Sequence, residues 1–241
     1  MKSHILSKAF ALLALAAAPA LADSSPMYEA PLTDDDQLSL ACVDVDFGYM
    51  TDFDDGLSVD ALYGVTLGTS YTFDATTEDY HKLTFSIGMY YGTDSFSYPG
   101  THIDNMFTYP GKQKNTQRIF PVMIGYSYHR QICSDLSFYV GGQVGVYISN
   151  SDQKFDEGRN GNLVGENGRF YHSKVSPTVG VGIGVEYNIA DNWKWNIGAQ
   201  FNFSHSMLDE GCRTDCYIYG HEVSEGDVTT TTIHTGFSYS F

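Results

Sequence analysis

Apolar residues alternate one for one with small or polar residues along most of this chain. From 175 to 187, Val175, Pro177, Val179, Val181, Ile183, Val185 and Tyr187 interleave with Ser176, Thr178, Gly180, Gly182, Gly184 and Glu186. A period of two places the two sets on opposite faces of an extended strand. The register repeats from 193 to 204, where Trp193, Trp195, Ile197, Ala199, Phe201 and Phe203 alternate with Lys194, Asn196, Gly198, Gln200, Asn202 and Ser204. Eight such stretches are predicted as strands: 42–53, 61–73, 80–92, 117–129, 136–148, 174–188, 193–204 and 230–241. No long stretch carries a helical period. The fold class expected is all-β, an eight-stranded antiparallel up-and-down transmembrane β-barrel.

Alternation alone does not say which face is inside. The non-apolar face is rich in Gly, Ser, Thr, Asn and Gln. That is a poor exterior for a soluble protein, whose surface is normally charged. It suits the lining of a narrow barrel whose oily face meets lipid. Aromatics close the apolar runs at Tyr71, Tyr126, Tyr128, Tyr187, Trp193 and Trp195, as expected of belts at the membrane–water interfaces. The connections at 74–79, 130–135 and 189–192 are short, and those at 93–116, 149–173 and 205–229 are long; only 54–60 breaks that series. Short periplasmic turns with longer external loops are the habit of transmembrane barrels.

The N-terminus fits export. Lys2 and Lys8 precede an apolar run to Ala18, and Pro19-Ala20-Leu21-Ala22 supplies a small-x-small cleavage pattern, so 1–22 reads as a signal peptide. Residues 23–40, with Asp34, Asp35 and Asp36, read as a flexible periplasmic leader, and 41–241 as the barrel. The signal peptide holds two of the 13 Lys+Arg and none of the 29 Asp+Glu, so its removal takes the formal charge from −16 to −18. Such acidity argues against nucleic-acid binding, which requires basic patches. No later segment is apolar for the length of a membrane helix, so strands must make any crossing.

The last ten residues, Thr232 to Phe241, place Phe237, Tyr239 and Phe241 on one face and end on an aromatic. This resembles the terminal strand of outer-membrane barrels, and the whole mature chain resembles the small OmpA/OmpX-like barrel group in strand number, turn pattern and last residue. The resemblance implies recognition of this strand by the barrel assembly machinery and residence in the cell outer membrane among lipid and lipopolysaccharide. The peptidoglycan-binding domain of full OmpA-type proteins does not follow Phe241, so no cell-wall tether is expected.

Candidate chemistry is sparse. A hairpin centred near residue 190 sets Glu186 opposite Lys194, both facing inward: a gating ion pair or simple mutual satisfaction of two charges. Asp44, Asp46 and Asp52 face inward with His234, either as a small acidic cation site or as hydrated groups of a polar lumen. His205-Ser206, with Asp209 and Glu210, tempts a hydrolase reading, but neighbours on a strand point to opposite faces. Cys212 and Cys216 suggest a loop disulfide, with a metal pair involving His221 as the rival. Cys42 and Cys133 both fall near the periplasmic end, and pairing between them depends on a distance the sequence does not give. No catalytic residue, cofactor or metal is expected. The expected role is structural or interactive: a monomer serving envelope integrity or adhesion through its loops, which mix aromatics with Lys112 and Lys114 and would touch lipopolysaccharide phosphates or a host surface. A narrow channel for small solutes is the alternative, and a lipid A-modifying enzyme a distant third.

Overall fold

The computed structural model describes residues 41–53, 57–73, 79–98, 102–103, 106–107, 111–157, 169–205 and 227–241. Eight strands close into an antiparallel barrel: β1 (Ala41–Asp52), β2 (Leu62–Phe73), β3 (Asp79–Tyr98), β6 (Gly111–Cys133), β7 (Leu136–Glu157), β8 (Arg169–Ala190), β9 (Trp193–Ser204) and β10 (Val228–Ser240). A two-residue pair, β4 (His102–Ile103) and β5 (Met106–Phe107), lies between β3 and β6. Each strand pairs with its neighbour in sequence around the wall. The first and last close it in register from Cys42↔Ser240 to Asp52↔Thr230. Closure removes the sheet edges that would otherwise sit unpaired in hydrocarbon.

The alternating pattern sorts the side chains as the strand period requires. Phe47, Leu67, Ile87, Ile124, Val144 and Val181 are among the large apolar residues exposed on the outside, while Ser176, Asn202, Thr230, Thr232 and Ser238 are buried within. An apolar exterior that circles the molecule far exceeds the patch a soluble monomer tolerates. With eight strands the interior has room for side chains and little else. An inward ring therefore needs a missing side chain to lie against. Tyr90 lies across the Gly64 backbone, where an added Cβ would come 2.6 Å from its ring, and Tyr139 does the same at Gly184, 2.5 Å from its Cζ.

Two tight turns, at 134–135 and 191–192, and the ends of β2 and β3 at Phe73 and Asp79 gather at the end where β1 begins and β10 finishes. Both tight turns are approached through register shifts, between Gln131 and Cys133 and between Asn188 and Ala190. The second shift changes the expected hairpin. Glu186 pairs with Asn196, and Lys194 with Asn188, so the two charged residues are diagonal rather than opposite.

Strand length is where the sequence reading falls furthest short. Much of 93–116 and 149–173 is sheet: β3 runs to Tyr98, β6 starts at Gly111, β7 runs to Glu157 and β8 starts at Arg169. These four strands are contiguous and are 20, 23, 22 and 22 residues long, against 12 or 13 for the other four. Beyond the apolar band their sequence is polar and loop-like, but cross-strand hydrogen bonding carries the ladder on. Half of the barrel wall thus stands above the other half. β2 stops pairing with β3 at Tyr63↔Tyr91, and β9 pairs with β8 only from Thr178↔Ser204. Pro177, which has no N–H to offer a ladder, marks the second of these limits. Segment 205–229 lies mostly outside the described residues.

Candidate functional site

The lumen divides into three levels. At the short-turn end, Glu186 on β8 is 4% exposed and sits at the centre of a charged network. Lys194 Nζ donates to its Oε1 at 2.9 Å, and the Tyr80 hydroxyl donates to the same oxygen at 2.6 Å. Lys82 Nζ stands 3.6 Å from its Oε2 and donates to Asp44 Oδ1 at 3.0 Å. Ser238 also donates to Asp44 Oδ1. Two carboxylates face two ammonium groups, so the level is formally neutral, as a narrow interior requires of buried charge. Rings continue the network across the lumen. Lys194 Nζ lies 4.9 Å from the centre of the Tyr80 ring; Tyr80 stacks on His129 at 4.4 Å, and His129 on Tyr139 at 5.1 Å. Every barrel strand except β2 contributes a residue to this brace.

The middle level is a polar cavity of about 160 Å³, lined in part by Asp46, Gln143, Asn196, Gln200 and His234. His234 Nε2 lies 3.0 Å from the Tyr139 hydroxyl, and Gln143 Nε2 donates to Asn202 Oδ1 at 2.6 Å and to Gln200 Oε1 at 3.1 Å. Among the described residues, Asp46 Oδ1, Asn196 Oδ1 and His234 Nδ1 have no hydrogen-bond partner, and buried polar atoms of this kind are ordinarily met by water.

The outer level is apolar. Met50, Leu62, Tyr90, Ile119, Met123, Tyr147 and Val228 close on Leu57 and Val59, which enter from the β1–β2 connection. That connection is tied inward at several points. Leu57 N donates to Asp52 Oδ2 at 2.8 Å, and Ser58 N donates to Gln117 Oε1 at 2.8 Å. Asn115 Nδ2 and Ser151 Oγ donate to the carbonyl and the hydroxyl of Ser58 at 3.0 and 3.1 Å. Asp60 N donates to Asp94 Oδ2 at 2.5 Å. The bonds cover backbone groups that would otherwise be buried bare, and the apolar side chains fill the mouth.

Of the residues that the sequence groups together, Asp44, Asp46 and His234 line the one cavity, and Asp52 lies apart on Leu57 N. Asp44 also joins the charged brace through Lys82, and Asp52 belongs to the cap. Asp44 and Asp52 are eight residues apart on one strand, about 27 Å at the usual rise. Glu186 and Lys194 meet despite their diagonal register. Lys82, Tyr80 and His129 escaped the sequence reading, although Lys82 shares the parity of Thr84 and Ser86 on the polar face. The cap escaped it too, because two apolar residues in a short connection carry no periodicity. Among the described residues, no group of three or more His, Cys, Asp or Glu is placed to hold a metal ion.

On the outside, Tyr71, Tyr126, Tyr128, Tyr187, Trp193 and Trp195 all lie toward the short-turn end, with Trp193 against Tyr239 at 5.0 Å. Aromatics nearer the opposite end include Tyr49, Tyr63, Tyr91 and Phe203, the first two 5.2 Å apart. Phe237 is exposed on the same face as Tyr239, and Phe241 packs edge-on against Tyr239 at 5.2 Å while its N–H donates to the Ala41 carbonyl. His205 Nδ1 lies 2.9 Å from Asp227 Oδ1 in an exposed pair; Ser206, Asp209, Glu210, Cys212, Cys216 and His221 lie outside the described residues. Cys42 and Cys133 are not joined in a disulfide, and Cys42 is buried with its Sγ 3.3 Å from Ser240 Oγ.

A family model described as the outer membrane protein beta-barrel domain matches residues 9–241. No curated protein matches the chain. Among solved structures it is similar to Neisserial surface protein A, at 12% identity over 84% of this chain and 96% of that one, with a TM-score of 0.45. It is also similar to a major outer membrane protein from Thermus thermophilus, at 11% identity over 83% and 99% with a TM-score of 0.44. A third likeness is to Ail, the attachment invasion locus protein of Yersinia pestis, in complex with the heparin analogue sucrose octasulfate, at 16% identity over 84% and 99% with a TM-score of 0.39.

Proposed function

Since the chain belongs to the family of outer membrane protein β-barrel domains and resides in the outer membrane, we propose that it works as a closed, non-enzymatic barrel whose role in surface interaction is carried by the wall of β3, β6, β7 and β8. The observation that carries this reading is that the upper parts of the wall's two outermost strands are paired, among the described residues, with a strand on one side. Backbone 93–98 of β3 has β6 on one side, and among the described residues no strand pairs with its other side. Backbone 171–173 of β8 is paired, among the same residues, with β7. An unpaired edge outside the membrane is a template for a partner's extended segment, with main-chain hydrogen bonds supplying affinity. The charged network below stiffens the stem on which the wall stands.

The test is adherence of cells expressing the protein to host or matrix surfaces, compared with cells expressing Ser173→Pro, which removes an edge N–H. Adherence above the empty-vector level that falls with the edge variant, at equal surface amount, supports the reading. Equal adherence of all three strains overturns it.

A narrow channel is the second reading, favoured by the polar cavity. The apolar cap weighs against it, because the Leu57, Val59 and Ile119 side chains in the mouth offer an ion no polar atom in exchange for the water it would shed. Regular conductance steps of the purified protein in a planar bilayer would establish the channel.

A further inference from the structure

The chain has 13 Lys and Arg in 241 residues, and several share one face of the wall. Lys114 of β6 stands directly across from Lys154 of β7. Lys114 and Lys154 are exposed. Arg118, four residues below Lys114 on the same face, is exposed and lies 5.9 Å from the centre of the Tyr91 ring. One acid, Asp152, lies on this face in the row between. Like charges set directly opposite across strands destabilise a sheet. A facing pair of lysines in so acidic a chain is an arrangement that an external anion would relieve.

Height says which anion. The face that carries these cations is the lipid face continued upward: on β6, β7 and β8 it passes from Ile124, Val144 and Val179 through Phe120, Ile148 and Val175 to Arg118, Asn150 and Ser173. Arg118 is two residues past the last apolar row, about 7 Å along the strand, which is headgroup height. The Lys114 row lies about 13 Å further along the strand. At the usual barrel tilt of about 40° that is roughly 10 Å further from the membrane.

We infer that this face docks a phosphorylated glycolipid of the outer leaflet, with Arg118 meeting phosphate at the lipid headgroup and the Lys114–Lys154 pair meeting phosphate on the sugars above it. A free anion has no reason to prefer a site continuous with the lipid-facing band, whereas a lipid reaches it by lateral diffusion. Charge-assisted hydrogen bonds from Lys and Arg suit phosphate oxygens. The inference rests on the reading of the wall as an interaction surface and names one partner for its outer face, leaving the two edges free.

The experiment uses the mature protein in lipid nanodiscs. Binding of purified rough lipopolysaccharide with phosphorylated core sugars is compared with the same material after dephosphorylation. The variants are Lys114→Gln/Lys154→Gln, Arg118→Gln and, as a control at the far end of the same strand, Arg130→Gln. Gel mobility of unheated samples verifies that each barrel is folded. Expected are at least tenfold weaker binding by the double variant, a smaller loss for Arg118→Gln, wild-type binding for Arg130→Gln, and loss of the difference between variants on dephosphorylated material. Equal binding by wild type and double variant, or no preference for phosphorylated glycolipid, overturns the inference. So does displacement by millimolar inorganic phosphate at constant ionic strength, which would make this a free-anion site. Adherence through the edges is scored separately, so lipid docking and the wall's role can fail independently.

Discussion

Replacing Lys82 with methionine tests whether the charged brace holds the barrel together. Lys82 is 9% exposed and joins Asp44 of β1 to Glu186 of β8 from its place on β3. Removing one member of a buried ion network costs about 3–5 kcal/mol, because the remaining charges stay buried without it. Here Asp44 keeps the Ser238 hydroxyl, and Glu186 keeps Lys194 and Tyr80. The expected loss is therefore at the low end, about 3 kcal/mol. Lys194→Met is the comparison. Its side chain is 28% exposed, and Glu186 would keep Lys82 and Tyr80, so about 1 kcal/mol is expected. Urea unfolding in lipid vesicles, followed by the fluorescence of Trp193 and Trp195, measures both. A Lys194→Met barrel as unstable as Lys82→Met, or two variants as stable as wild type, would refute the reasoning.

The glycine spacing of the lumen makes a second comparison. Gly184→Ala would set a Cβ against the Tyr139 ring and the Ile197 carbonyl, whereas at Gly125 the nearest atoms are 3.6 Å away; urea midpoints should show Gly184→Ala destabilised by about 1–3 kcal/mol and Gly125→Ala near wild type. The apolar cap predicts that wild-type protein gives no conductance steps in a planar bilayer, and that Leu57→Asn/Val59→Asn speeds deuterium exchange at the amides of Ile119 and Tyr147; a conducting wild type or unaltered exchange would count against it. Phe241 is 74% exposed beyond the last strand. Phe241→Ala should lower the amount of barrel assembled in cells while leaving urea stability of refolded protein nearly unchanged, and a normal cellular yield would remove the assembly role.

Strand number, order and the inside–outside sense of each strand were legible because a period of two repeated over a dozen residues is hard to mistake. Val175 to Tyr187 announce both faces of β8 without any three-dimensional information. The upper halves of β3, β6, β7 and β8 were not legible. Above the membrane neither face is oily, so Lys112 to Thr116 and Ser149 to Glu157 read as loop, and only cross-strand pairing makes them sheet. The lumen partners fell between these cases. Parity placed Glu186 and Lys194 inside, but the register shift at Asn188 moved their alignment by a step, and only the closed barrel brings Lys82 from β3 to Glu186 on β8. Nothing local linked Ser58 to Gln117, because that contact spans 59 positions.

The most direct test concerns which face of the wall meets lipid. With Trp193 and Trp195 replaced by Phe, a single tryptophan at Val181, half-exposed near the middle of β8, reports its surroundings. Quenching by lipids brominated deep in the acyl chain, with protection from aqueous iodide, is the outcome predicted. Quenching by iodide with no effect of the brominated lipids would contradict the account.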